Sequence, residues 1–226
     1  MCRGRHGLAG MIIVADDHPL FRDAMRQAIS NLEGGYDTAL AGSYSEVETL
    51  LSAEQQPELI LLDLNMPGNN GFSGLMRLRS EHSTVPVVVI SASEDDTTVR
   101  RSLELGAAGF IAKSASGEDI RRSILRVIEG EVCLPDGFDM TGAEDSEFSD
   151  LVEKLQTLTP QQSKVLSMLS EGLLNKQIAY ELNVSEATVK AHVSAVLMKL
   201  GVDSRTQAVI ALSKLGSGGT IDTPAA

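Results

Sequence analysis

The sequence predicts an α/β domain, a doubly wound five-stranded parallel sheet, followed by a small all-α domain of four helices with a helix-turn-helix. Between residues 11 and 128, short apolar runs bounded by turn residues alternate with amphipathic helical periods, the pattern of a parallel sheet covered on both faces. From Leu151 onward the apolar spacing is helical. Charge marks the same division. Residues 1–150 hold 12 Lys and Arg against 25 Asp and Glu, a net of −13, whereas residues 151–226 hold 7 against 6, a net of +1. The overall charge of −12 belongs to the first part and does not exclude nucleic acid as a partner of the second.

Residues 1–10 carry Arg3, Arg5 and His6 without an apolar segment behind them, so they read as a disordered extension and not as a signal peptide. The first strand begins at Met11 and ends in Asp16 and Asp17. His18-Pro19-Leu20 opens a helix with Phe21, Ala24, Met25, Ala28, Ile29 and Leu32 at three- and four-residue spacing, which Gly34-Gly35 stops. Tyr36 to Gly42 is the second strand, Ser45 to Ala53 the second helix, and Leu59 to Asp63 the third strand. Pro67-Gly68 turns the chain into a helix over Gly71 to Glu81. The β-branched run Val85 to Ile90 is the fourth strand, where Pro86 is tolerated near the strand start. Asp95 to Leu105, Gly109 to Ala112 and Gly117 to Ile128 complete the pattern as helix, strand and helix, so the first domain spans residues 11–132.

Residues 133–150 read as a flexible acidic linker, broken by Pro135, Gly137 and Gly142 and charged by Glu144, Asp145, Glu147 and Asp150. The helical domain covers residues 151–216. Leu151, Val152 and Leu155 form a short lead-in; Thr159-Pro160 caps the next helix; Asn175 caps a short one; Ser185 starts a longer one that Gly201 closes; and Ser204 to Leu215 is the last. Residues 217–226 read as a disordered tail.

Two parallel strands ending in Asp16-Asp17 and in Asp63 bring three carboxylates to one sheet edge, where open α/β sheets keep their chemistry. Carboxylates so crowded need a cation, and hard oxygen donors without a cysteine or histidine cluster indicate Mg²⁺. Cys2 and Cys133 make no disulfide framework, and no apolar run approaches the roughly 18 residues of a membrane span, so a cytoplasmic protein is expected.

Residues 11–130 resemble the receiver domain of bacterial two-component response regulators, a CheY-like, flavodoxin-like fold. Residues 151–215 resemble the LuxR-type DNA-binding domain of the NarL/FixJ subfamily, through Leu158-Thr159-Pro160, Val165-Leu166, Gly172, Asn175 to Ala179, Ser185 to Val193, Lys199 to Val202 and Arg205. The resemblance implies that Asp63 accepts a phosphoryl group from a histidine kinase. Mg²⁺ would be held by Asp17, Asp63 and the main-chain carbonyl of Asn65 directly, and by Asp16 through water. It further implies that Ser91 and Lys113 contact the phosphoryl group, that Phe110 takes the aromatic switch position without a hydroxyl, and that Pro67 shapes the loop.

In the second domain the resemblance places Lys190, Ala191 and Ser194 at the major groove and Lys176, Thr188, Lys199 and Arg205 at phosphates or the groove edge, with Val209, Ile210 and Leu212 dimerising the last helix. Gln161, Gln162 and Lys164 depart from the family pattern; the first two remove an ion pair, and Lys164 adds charge. The expected function is a phosphorylation-controlled, homodimeric transcription regulator of double-stranded promoter DNA, with RNA polymerase as a further contact. It is not a turnover enzyme. The alternative is a phosphorylation-independent DNA-binding regulator with a vestigial acidic pocket.

Overall fold

The computed structural model describes residues 10–53, 56–138 and 146–216. The expected extension apart from Gly10, the tail at 217–226 and linker residues 139–145 lie outside the described residues. The elements run β1 (Met11–Ala15), α1 (Pro19–Ser30), β2 (Asp37–Ala41), α2 (Tyr44–Leu51), β3 (Leu59–Asp63), β4 (Asn65–Met66), β5 (Asn69–Asn70), α3 (Ser73–Glu81), β6 (Val87–Ser91), α4 (Asp96–Glu104), β7 (Gly109–Ala112) and α5 (Gly117–Ile128). Five helices follow: α6 (Ser146–Gln156), α7 (Pro160–Ser170), α8 (Asn175–Glu181), α9 (Glu186–Leu200) and α10 (Arg205–Gly216). The chain divides into two compact units, one holding the five-stranded sheet with α1, α2 and α5, the other holding α3, α4 and α6–α10.

The sheet is parallel in the order β2-β1-β3-β6-β7, so strand order reverses at β1 and a crevice opens at the carboxyl ends of β1 and β3. Alternation along each strand sends Ile12, Val14, Leu59, Leu61, Val88, Ile90 and Ile111 to one face. There they bury against Met25, Ala28 and Ile29 of α1 and Ile120, Ile124 and Val127 of α5. Asp63 continues the side of Leu59 and Leu61 and so emerges above that core. The register pairs Ala15 with Leu62, Leu62 with Val89 and Val89 with Phe110. The residues one to three positions beyond that row, Asp16, Asp63, Ser91 and Lys113, therefore gather at one edge.

Two local features depart from the expected linker. Cys133 bridges in parallel to Gly109 of β7, with the Phe110 N–H donating to the Cys133 carbonyl at 2.9 Å and the Cys133 N–H to the Ala108 carbonyl at 3.2 Å. A Cβ on Gly109 would lie 2.8 Å from the Cys133 carbonyl oxygen, so glycine permits this approach. Residues 146–150 are helical, not linker, because Phe148 supplies a buried position four residues before Val152 and seven before Leu155.

The cap of α8 also differs: Asn175 is its first helical residue, and Leu174 sits at the N-cap with its N–H donating to Gln177 Oε1 at 2.7 Å. Thr159 and Gln162 make a reciprocal capping box on α7. Thr159→Ala is expected to cost about 1 kcal/mol in chemical denaturation.

Val165, Leu169, Ile178, Ala179 and Val189 form the core that joins α7, α8 and α9. Between α8 and α9 the turn passes through Asn183 at φ 51°, a left-handed conformation that asparagine tolerates better than other side-chain-bearing residues. Asn183→Gly should leave the melting midpoint nearly unchanged. Asn183→Val should lower stability by about 1–2 kcal/mol, and equal midpoints for the two variants would remove the turn from any role in setting the helix pair.

Candidate functional site

The pocket at the carboxyl edge of the sheet is built by consecutive turns. Asp16 directly follows β1 and Asp63 ends β3; both side chains are 1–2% exposed. Lys113, just beyond β7, reaches between them, with Nζ 2.7 Å from Asp16 Oδ2 and 2.8 Å from Asp63 Oδ2. Its ammonium also lies 5.2 Å from the centroid of the Phe21 ring. The lysine backbone is fixed by its N–H donating to the Ser91 carbonyl at 2.8 Å.

The loop after β3 is equally specified. Asn65 donates its main-chain N–H to Asp63 Oδ1 at 3.2 Å, and buried Asn69 donates through Nδ2 to the Asp63 carbonyl at 2.8 Å. Between the two short strands, Pro67 precedes Gly68 at φ 78°, the residue types a type II turn requires. The Pro67 carbonyl accepts from the Tyr44 N–H at 2.9 Å, tying that turn to the start of α2.

Ser91 is buried at the end of β6, its Oγ accepting from the Ser93 N–H at 3.1 Å, and Phe110 is buried in β7. By strand alternation, Ser91 shares a sheet face with Val89, the register partner of Phe110.

Sequence reading missed three participants. His18, taken there as a helix start, places Nδ1 2.7 Å from Asp17 Oδ1 and 3.0 Å from Asp16 Oδ1, while its main-chain N–H donates to Asp16 Oδ1 at 2.7 Å. Arg22 donates through Nη1 to the Asp16 carbonyl at 2.5 Å. Asn69 is the third. The signal for His18 and Arg22 was their place one and five residues after Asp17, on the first turns of a helix leaving the acidic edge; nothing comparable marked Asn69.

One ligand atom each from Asp16, Asp17, His18 and Asp63 lies within 4.8 Å of the others. A divalent cation at roughly 2.1–2.4 Å from each ligand spans such a gap, and the oxygen-rich donor set suits a hard ion. These residues fit a divalent metal.

Burial raises the Asp63 carboxyl above its usual 3.8, while Lys113 and the Asn65 N–H lower it in part and Asp16 raises it further. Burial depresses Lys113, but the hydrogen bonds and charges of Asp16 and Asp63 outweigh that and leave its ammonium raised. A carboxyl raised in the fold binds its proton more tightly there than in the unfolded chain. Its stability penalty therefore grows as pH rises from about 3.8 and is complete above the folded value. In chelator at neutral pH, Asp63→Asn should melt above the parent, and the gap should close as pH falls into the carboxylate range. A parent that is the more stable at neutral pH would refute this.

In the helical unit, Lys176, Thr188, Lys190, Ala191 and Ser194 are exposed. Thr188 already serves the α9 cap, its N–H donating to Ser185 Oγ at 3.1 Å. Lys199 and Arg205 are engaged internally. Lys199 Nζ donates to the Thr157 carbonyl at 2.6 Å and to Gln162 Oε1 at 2.8 Å, and Arg205 Nη2 donates to the Leu173 carbonyl at 2.5 Å. Gln162 thus replaces the expected lost ion pair by a three-way hydrogen-bonded joint. Of the three apolar residues assigned to the last helix, Leu212 is buried, Val209 packs against the core of α7–α9, and Ile210 is exposed.

A parallel α/β unit with an acidic, lysine-closed edge and a capped helix-turn-helix define a receiver joined to a DNA-binding domain. Residues 12–125 match the response regulator receiver domain, and residues 156–212 match the bacterial regulatory proteins of the luxR family. The chain belongs to the response regulators that combine these two domains, a family of transcription regulators and not of turnover enzymes.

It is 42% identical to the glycerol metabolism activator of Pseudomonas putida over 205 residues, covering 88% of this chain and 93% of that one. To the nitrate/nitrite response regulator NarL of Escherichia coli K12 it is 33% identical over 203 residues, again covering 88% and 93%. Among solved structures, the RcsB response regulator of Salmonella typhimurium shares the fold at a TM-score of 0.53 and 20% identity, over 91% of this chain and 99% of that one. Among the described residues, no helix is long and apolar enough to cross a membrane.

Proposed function

We propose that the chain is a phosphorylation-controlled, DNA-binding transcription regulator in which Asp63 is the phosphoacceptor. The observation that carries the reading is the cluster of Asp16, Asp17 and Asp63 at the mouth of the sheet, with Lys113 bridging Asp16 and Asp63. One Asp63 carboxylate oxygen attacks the phosphorus of a kinase phosphohistidine. The new O–P bond forms as the N–P bond breaks, and the departing imidazole keeps the electron pair. Asp17, Asp63 and the Asn65 carbonyl would hold Mg²⁺ directly, with Asp16 acting through water; when bound, the ion neutralises the crowded negative charge. Lys113 leaves its present place between Asp16 and Asp63 to meet the phosphoryl oxygens, and Ser91 donates its hydroxyl to them. Pro67 and Gly68 hold the loop that carries Asn65, and Phe110 repacks without a hydroxyl of its own.

In this reading the receiver spans about residues 11–132 and the DNA-binding domain residues 151–216, with α6 (Ser146–Gln156) leading into the second. Lys176, Lys190, Ala191 and Ser194 face double-stranded promoter DNA, with Thr188 at the helix start and Lys199 and Arg205 bracing the domain. The active species is a homodimer formed through α10, with exposed Ile210 at its centre and Val209 and Leu212 beneath. RcsB, whose fold is shared, is described as binding DNA as dimers. The protein works in the cytoplasm beside a sensor histidine kinase and RNA polymerase.

The test is to treat the full chain with a small phosphoryl donor and Mg²⁺ and follow intact mass, size-exclusion elution and binding to a random DNA library. One added phosphoryl mass, a shift to dimer and tighter DNA binding are expected. DNA binding that is equally strong without any phosphoryl gain would establish the phosphorylation-independent regulator instead.

A further inference from the structure

The recognition helix α9 carries a single acidic residue, Glu186, and it stands in the first turn, where helices of this kind meet base edges. Glu186 Oε1 lies 3.1 Å from Lys190 Nζ, one turn along the helix, and both side chains are largely exposed. An unpaired carboxylate there would repel DNA phosphates. Paired with Lys190 it is neutralised, and it holds the ammonium over the start of the helix.

Ala187 and Ala191 flank the pair on the exposed face and are too short to keep the helix away from the groove floor. Val189, Val196 and Leu200 face the domain interior, so the helix cannot rotate to present another side without losing its core. Lys199 and Arg205, by contrast, are held by main-chain carbonyls and Gln162.

We propose that Glu186 is a specificity-determining residue, and that Glu186 and Lys190 together read one G·C pair or two adjacent pairs in the major groove. This rests on the DNA-binding reading above. A lysine ammonium donates to guanine O6 and N7, and a carboxylate accepts from the cytosine N4 amino group; no other base pair offers that acceptor set beside that donor. Binding exchanges the intrahelical ion pair for two base contacts of matching sign.

The test selects DNA sites with the full chain, treated with Mg²⁺ and a small phosphoryl donor, for the parent, Glu186→Gln and Lys190→Ala, and measures affinity on single-base variants of the selected site. The parent should select a G·C pair and discriminate against its replacement by about 5- to 150-fold. Glu186→Gln should shift or relax the preference at that pair or its neighbour, and Lys190→Ala should relax the guanine. Glu186→Gln lies on an exposed turn and should leave the melting midpoint unchanged, which separates readout from folding. A Glu186→Gln protein that binds every sequence more tightly but selects the same site would reduce Glu186 to a repeller of phosphate and overturn the inference. An unchanged site with unchanged affinity overturns it as well. If the parent binds no DNA, the DNA-binding reading falls and this inference with it.

Discussion

Asp63→Asn is expected to abolish phosphoryl uptake, with labelling falling at least about 100-fold, to the level of a chain without donor. Asparagine keeps the shape and leaves Asp16 to hold Lys113, at 2.7 Å, so the pocket survives while the nucleophile is removed. Intact-mass measurement after treatment with donor and Mg²⁺ reads this directly. The same variant should no longer show a donor-dependent rise in DNA affinity. Labelling that persists in Asp63→Asn would move the acceptor to Asp16 or Asp17 and overturn the assignment. The expectation for Asp16 is different, because its oxygens already meet His18 and Lys113. Asp63 Oδ1, by comparison, accepts from the Asn65 main-chain N–H.

Lys113→Met should produce the largest loss of stability of any single change in the pocket. The ammonium is 17% exposed and stands between two carboxylates that are almost fully buried. Removing it takes away the ammonium that the two carboxylates share, a change that costs about 3–5 kcal/mol in comparable buried pairs. The lower end applies here, because the pocket opens toward solvent at Asp17, which is 36% exposed. For a chain of this length that is a fall in melting midpoint of roughly 6–12 °C in chelator. Millimolar Mg²⁺ should recover a large part of it by supplying positive charge to the same carboxylates, and should raise the parent midpoint by a smaller amount. A Lys113→Met midpoint within about 2 °C of the parent in chelator, or one that Mg²⁺ does not raise, would show that the lysine is not what balances Asp16 and Asp63.

The internal roles of Lys199 and Arg205 have a parallel consequence for DNA binding. Lys176→Ala and Lys190→Ala should each lower the slope of log affinity against log salt by about 1. Lys199→Ala should lower the melting midpoint more than the slope, since it removes donors to the Thr157 carbonyl and Gln162 Oε1.

The sheet, its five helices and the acidic edge were legible because each rests on short-range periodicity and on turn chemistry. A short apolar run such as Leu59 to Leu62, closed by Pro67-Gly68 and too short for a helix, reads as a central strand, and parallel strands bring their carboxyl ends together whatever lies between them. The same holds for the caps at Thr159 and Ser185, whose hydroxyls bind main-chain N–H groups three residues on. The start of α6 was hidden because Phe148 is one aromatic in an acidic stretch, and its ring is covered by the guanidinium of Arg101, 4.6 Å from the ring centroid and distant in sequence.

By itself, then, the sequence determined the family, the strand ends and the residues that collect at them. Only the tertiary structure decided which of those residues are already satisfied. Lys199 and Arg205 donate to carbonyls distant in sequence, Leu212 is buried, and His18, besides starting its helix, sets its ring against two carboxylates. The reason is physical: a charge or an apolar group has the same local propensity whether it faces solvent or a partner, and the partner is supplied by chain segments that no local pattern encodes.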